Sequence, residues 1–90
     1  MNAYPTVPRR FGANLTEARE RAGLSQEEVG HRASLHRTEV SQLERGLRLA
    51  RIDTLVKLRD ALKVSTDDLL AGIAWRPGQY RPGGFAGGEG

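Results

Sequence analysis

LSQEEVGHRASLHRTEVSQLERG, residues 24–46, decides the fold. It opens on SQEE, Ser25 to Glu28, the pattern of a capping box. The serine side chain accepts from a first-turn backbone N–H, and the glutamate reaches back to the serine N–H. A helix is therefore predicted from Ser25 to about Ala33, with Val29 and Ala33 inward. Gly30 inside it costs up to ~1 kcal/mol relative to alanine, so a second backbone is expected to pass close by. Ser34 to His36 leaves room only for a tight connector. The next helix runs from Arg37 to about Arg45 and stops at Gly46. Two short helices across a turn of this length have helix-turn-helix geometry.

The helix after the turn has a readable outer face. At ~100° per residue, with Arg37 at zero, Val40 and Leu43 fall near ~300° and ~240°, which sets inward at ~270°. On the same wheel Thr38 and Arg45 lie near ~100° and ~80°, pointing out, with Ser41 and Gln42 on either side of them. Glu39 and Glu44 fall near ~200° and ~340°, on the flanks. A helix that lies against phosphates can carry two acids if both are turned aside. Arg37 has the fork for guanine O6 and N7, and Gln42 the amide for adenine N6 and N7. Thr38 and Ser41 can touch base edges or a phosphate. Glu39 is either solvated or an acceptor for a cytosine N4.

Working outward, Phe11, Leu15, Ala18 and Ala22 recur at helical spacing and Gly23 supplies a stop, so a first helix is predicted from Arg9 to about Ala22. Residues 1–8, with two prolines, read as a flexible lead-in. Past Gly46 a loop, 47–51, leads to a helix from Ile52 to Leu62 with Leu55, Leu58 and Leu62 inward. Ser65 caps a last helix, 66–71, with Asp67 and Asp68 at its positive end. Residues 9–72 thus form one all-α, five-helix domain. Residues 73–90 are Gly- and Pro-rich but carry Trp75, Tyr80 and Phe85. This tail is expected to be disordered, to form a hairpin, to fold back on the domain or a second subunit, or to dock on a partner.

Composition sets the limits. Ninety residues with 38% hydrophobic content make one small domain with a thin core. The net charge of +3 is modest, but Arg32, Arg37, Arg45, Arg48 and Arg51 form a local basic patch, the footprint of a polyanion partner. The absence of cysteine excludes disulfides and thiolate metal sites. No apolar run spans a membrane and no signal-peptide core opens the chain, so a cytoplasmic, nucleoid-associated protein is expected. His31 and His36 straddle a turn and lack the spacing of paired metal ligands. No nucleophile motif or phosphate loop is present. An enzyme, a cofactor and a metal are not expected.

The ordered set ARERAGLSQEE, SQLERG and DTLVKLRDALKVSTDDLLAG resembles the XRE, or lambdoid-phage-repressor-like, family of helix-turn-helix regulators over roughly residues 9–72. The resemblance implies a lambda-repressor-like five-helix bundle and a sequence-specific transcription regulator of double-stranded DNA. It would be a repressor or autoregulator, dimeric on a partly palindromic operator. It implies base contacts from Arg37, Thr38, Ser41 and Gln42. Phosphate contacts would come from Gln26 at the start of the second helix, from Arg45, Arg48 and Arg51, and from Arg9 and Arg10. It also implies an ion pair of Glu44 with Arg19. The alternative is an antitoxin-type or adaptor module that binds a protein through the aromatic tail.

Three departures from the family pattern carry expectations. Ser34 stands where a glycine is usual, so a strained positive φ is expected there. His36 replaces a small cap and should cap less well, but it can reach a phosphate. Leu49-Ala50-Arg51 replaces the usual Asn-Pro-Ser/Thr, so the fourth helix should lack its cap. In related phage repressors the surface near this loop meets its copy across a two-fold axis, which implies a dimer contact by Leu47, Leu49 and Ile52.

Overall fold

The computed structural model describes residues 6–78 and 83–86. Its helices are α1 (Thr6–Arg21), α2 (Gln26–Ala33), α3 (Arg37–Glu44), α4 (Ile52–Leu62) and α5 (Thr66–Leu69), followed by β1 (Ala74–Arg76) and β2 (Gly84–Ala86). Each helix contributes to one core: Phe11 and Leu15, Val29 and Ala33, Val40 and Leu43, Leu58 and Leu62, and Leu69. Full burial of such a side chain is worth about 1.5–3 kcal/mol. Leu55, expected inward, is only half-buried at the core's edge, and Ala22 is exposed beyond the end of α1.

Local chemistry explains the boundaries. The capping box at α2 is complete: Ser25 Oγ accepts from the Glu28 N–H at 3.0 Å, and the Ser25 N–H donates to Glu28 Oε1 at 2.8 Å. The Ser25 backbone N–H, and then its hydroxyl, hold the Glu28 carboxyl below the usual carboxylate range. The contribution of the box is thus present above the ordinary glutamate value and is lost as pH falls through the lowered one. Ser65 and Asp68 form a second box at α5.

Helix α1 starts earlier than the sequence indicates. The lead-in expected over residues 1–8 does not hold for Thr6, Val7 and Pro8, which are helical, and Pro8 is buried. Proline is tolerated in a first turn because its missing N–H would have no intrahelical partner there. Residues 1–5 lie outside the described residues. Helices α3 and α5 end one and two residues sooner than expected, at Glu44 and Leu69.

The connector between α2 and α3 depends on two backbone features. Ser34 sits at φ 57°, ψ 43°, in the left-handed region. Gly30 passes so close that a Cβ there would lie 2.6 Å from the Leu35 carbonyl oxygen, and the Leu35 backbone N–H donates to Gly30 O at 2.8 Å. A left-handed residue with a Cβ costs roughly 1–2 kcal/mol, which glycine relieves while losing some of it to unfolded-chain entropy. Ser34→Gly should therefore raise the melting temperature by a few degrees, about 0.5–1 kcal/mol, in a calorimetric scan. A lower melting temperature would mean that the serine is not strained.

Asn14, on the inner side of α1, is buried. Its Nδ2 donates to Leu69 O and Ala71 O, both at 2.9 Å, and so closes the end of α5. Beyond it the tail forms a hairpin. β1 and β2 pair antiparallel with Trp75 opposite Phe85, and the two rings meet edge-on with centroids 5.1 Å apart. β2 lies along α1. The architecture is therefore a five-helix bundle with a small two-stranded sheet appended. Tyr80 falls outside the described residues.

Candidate nucleic-acid interface

Helix α3 is pinned by Val40 and Leu43, both buried, and presents its other side. Arg37 and Thr38 are exposed, while Ser41 and Gln42 are half-buried. Gln26, Arg37, Thr38 and Ser41 line one shallow cleft of about 170 Å³. The structure thus brings the N-terminus of α2 beside the outer face of α3.

The acids are turned aside in different ways. The Glu44 side chain is only 6% exposed and the Arg19 side chain 16%. Arg19 grips it with a fork: Nε to Oε2 at 2.6 Å and Nη2 to Oε1 at 3.1 Å. Arg19 Nη1 also donates to the Leu24 carbonyl at 2.9 Å, tying the α1–α2 turn into the pair. The hydrogen bond that Arg19 donates to Glu44 raises the Arg19 pKa above its ordinary value. Gln26 Nε2 donates to the same Oε1 at 3.0 Å, which leaves its other N–H and its carbonyl for a ligand. Sequence reasoning did not foresee this third member. Glu39 is half-buried on the opposite flank.

His36 does supply a side-chain cap. It is the N-cap of α3, and its Nδ1 accepts from the Thr38 N–H at 3.1 Å. A ring nitrogen that accepts carries no proton, so in the neutral ring the proton sits on Nε2. The side chain therefore caps α3 and still offers a donor. At α4 the expected loss is seen, since Arg51 is the N-cap and makes no side-chain cap bond. Arg51 instead approaches Asp53 at 3.3 Å in an exposed pair.

The other arginines divide. Arg45 is exposed at the end of α3. Arg9 packs its backbone and stem against Gly46, at the same end. Arg48 Nη1 donates to Gln42 Oε1 at 3.2 Å. Arg10 faces elsewhere: its Nε donates to Ala71 O at 3.2 Å and its guanidinium lies over Gly72. That engagement places it near α5, apart from the arginines around the end of α3. In the loop and at the start of α4, Leu47, Leu49 and Ile52 are 62%, 52% and 81% exposed, an apolar surface beside α3.

A capped helix, a tight left-handed turn and a second helix bearing a polar cleft define a helix-turn-helix protein. The helix-turn-helix family matches residues 15–69, and the chain belongs to it, in its XRE branch; it is a transcription regulator of that type and not an enzyme. It is 38% identical over 61 residues to control protein C.BamHI of Bacillus amyloliquefaciens, across 67% of this chain and 75% of that one. The restriction-modification controller protein C.AhdI of Aeromonas hydrophila superposes with a TM-score of 0.67 at 35% identity, over 69% of this chain and 94% of that one. The P22 c2 repressor, solved in complex with a synthetic operator, gives 0.64 at 27% identity over 69% and 94%. No helix among the described residues is long and apolar enough to cross a membrane.

Proposed function

We propose that the chain is a sequence-specific regulator that lays α3 in the major groove of double-stranded DNA. The observation that carries this is the split on α3: a guanidinium, two hydroxyls and an amide face out, while Glu44 is neutralised beneath them by Arg19. The likeness to a repressor solved with its operator supports it. In this reading Arg37, Thr38, Ser41 and Gln42 meet base edges. Gln26, His36, Arg9, Arg45, Arg48 and Arg51 hold phosphates, which set register rather than sequence. Affinity then falls steeply with salt, as counterions are released at each neutralised phosphate.

The protein binds as a dimer to a partly palindromic site. Leu47, Leu49 and Ile52 supply an apolar surface for the two-fold contact, and half-sites lie about 34 Å apart, one turn of DNA. Selection from random duplex DNA with the purified protein tests both points: an enriched inverted repeat is expected, and no enrichment would overturn the reading. Arg37→Ala should weaken the selected site by about 1–3 kcal/mol and relax choice at one base pair. Equal losses on selected and random DNA, measured by titration at fixed salt, would reject its base-reading role.

A further inference from the structure

We propose that Arg48 sets the base preference of Gln42, making it a reader of guanine rather than adenine; this rests on the DNA-binding reading above. Glutamine recognises adenine with two groups: its carbonyl accepts from N6 and its NH₂ donates to N7. Here the carbonyl is engaged, because Arg48 Nη1 donates to Gln42 Oε1 at 3.2 Å. Arginine has no acceptor, so it meets the oxygen end of the amide, and this fixes which way the amide points. Oε1 keeps a second lone pair, but Arg48 holds the oxygen, so the NH₂ is the end of the amide left to turn toward a groove. Two N–H groups match an edge with acceptors: guanine offers both N7 and O6, adenine only N7, and cytosine presents a donor.

The arrangement is built into the backbone as well as the side chains. Gly46 turns the chain at φ 72°. The Leu47 N–H then donates to the Gln42 carbonyl at 3.0 Å, and the Gly46 N–H to the Leu43 carbonyl at 3.1 Å. The loop is thereby folded back onto the residue whose side chain Arg48 engages. In water a single exposed bond of this kind is weak. Docking against DNA excludes water and strengthens it, because the local dielectric falls. Arg48 has further N–H groups, so one guanidinium can hold a phosphate and Gln42 together. Its role is to position another side chain, and it reads no base itself.

The test is selection from random duplex DNA with the wild-type chain, Arg48→Ala and Gln42→Ala. The wild type should prefer guanine to adenine at one pair of each half-site by about tenfold, the scale of one good base contact. Arg48→Ala frees the carbonyl, so the preference at that pair alone should swing toward adenine by a similar factor. Gln42→Ala should flatten it. An Arg48→Ala protein that binds all sequences more weakly, with the same preference at every pair, overturns the proposal and leaves Arg48 a phosphate clamp. If Gln42→Ala changes no pair, Gln42 reads no base and the proposal fails while the wider reading stands. If the wild type enriches nothing, sequence-specific binding itself fails, and this proposal with it.

Discussion

Arg19→Ala should lower the melting temperature by roughly 15 °C, a loss of about 3 kcal/mol, the largest effect of any single change in the charged network. The reason lies in what remains. Glu44, with a side chain 6% exposed, keeps only the Gln26 amide at 3.0 Å. A carboxylate withdrawn from water needs a compensating charge, and removing one partner of such a pair costs far more than the pair contributes. The Leu24 carbonyl also loses its donor. A double replacement, Arg19→Ala with Glu44→Ala, should lose much less than the sum of the single changes, because no charge is stranded. DNA affinity should fall in Arg19→Ala as well, since an uncompensated carboxylate would then border the cleft. A melting temperature within about 4 °C of wild type, under 1 kcal/mol, would show that the pair behaves like an ordinary surface contact.

Gly12→Ala should be nearly as damaging, for a steric reason. A Cβ at Gly12 would lie 2.5 Å from both the Leu43 and the Glu44 carbonyl oxygens. These are backbone atoms at the end of α3 and cannot swing away as a side chain tip would. Alanine gains up to ~1 kcal/mol in helix propensity, but forced overpacking costs about 1–3 kcal/mol and sometimes more. A net loss near 2 kcal/mol is expected, read as a drop of roughly 10 °C in the melting temperature. The displacement would push α1 from α3 at the point where Arg19 must reach Glu44, so the two losses should not add. An unchanged or higher melting temperature would mean that the helices separate without cost.

Much of this was legible in the sequence because short-range chemistry set it. The Ser25 box and the close pass at Gly30 follow from residues near one another in the chain, whereas the left-handed Ser34 and the uncapped start of α4 were expected from departures from the family pattern. The Arg19–Glu44 pair was expected from family resemblance alone, since nothing in the spacing of residues so far apart brings them together. What escaped depends on long-range packing. Gly12 looks like any mid-helix glycine until α3 is laid against it. Asn14 sits in line with Phe11 and Leu15, a polar residue on an apolar stripe, which was the available signal that it serves a buried acceptor. Arg10 and Arg9 are neighbours, yet a step of about 100° sends one to α5 and the other to α3. The hairpin was only one of several readings of the tail, because strands of three residues are too short to show alternation.

Asn14 also determines where the helical part of the molecule is finished. Helix ends normally leave carbonyls for water or for the following chain to satisfy, but here α1 reaches across and satisfies Leu69 and Ala71 with one amide. The bundle is sealed before the hairpin begins, and β2 then comes back to lie along α1. The hairpin is thus an addition that braces α1 from outside a bundle whose last carbonyls are already satisfied.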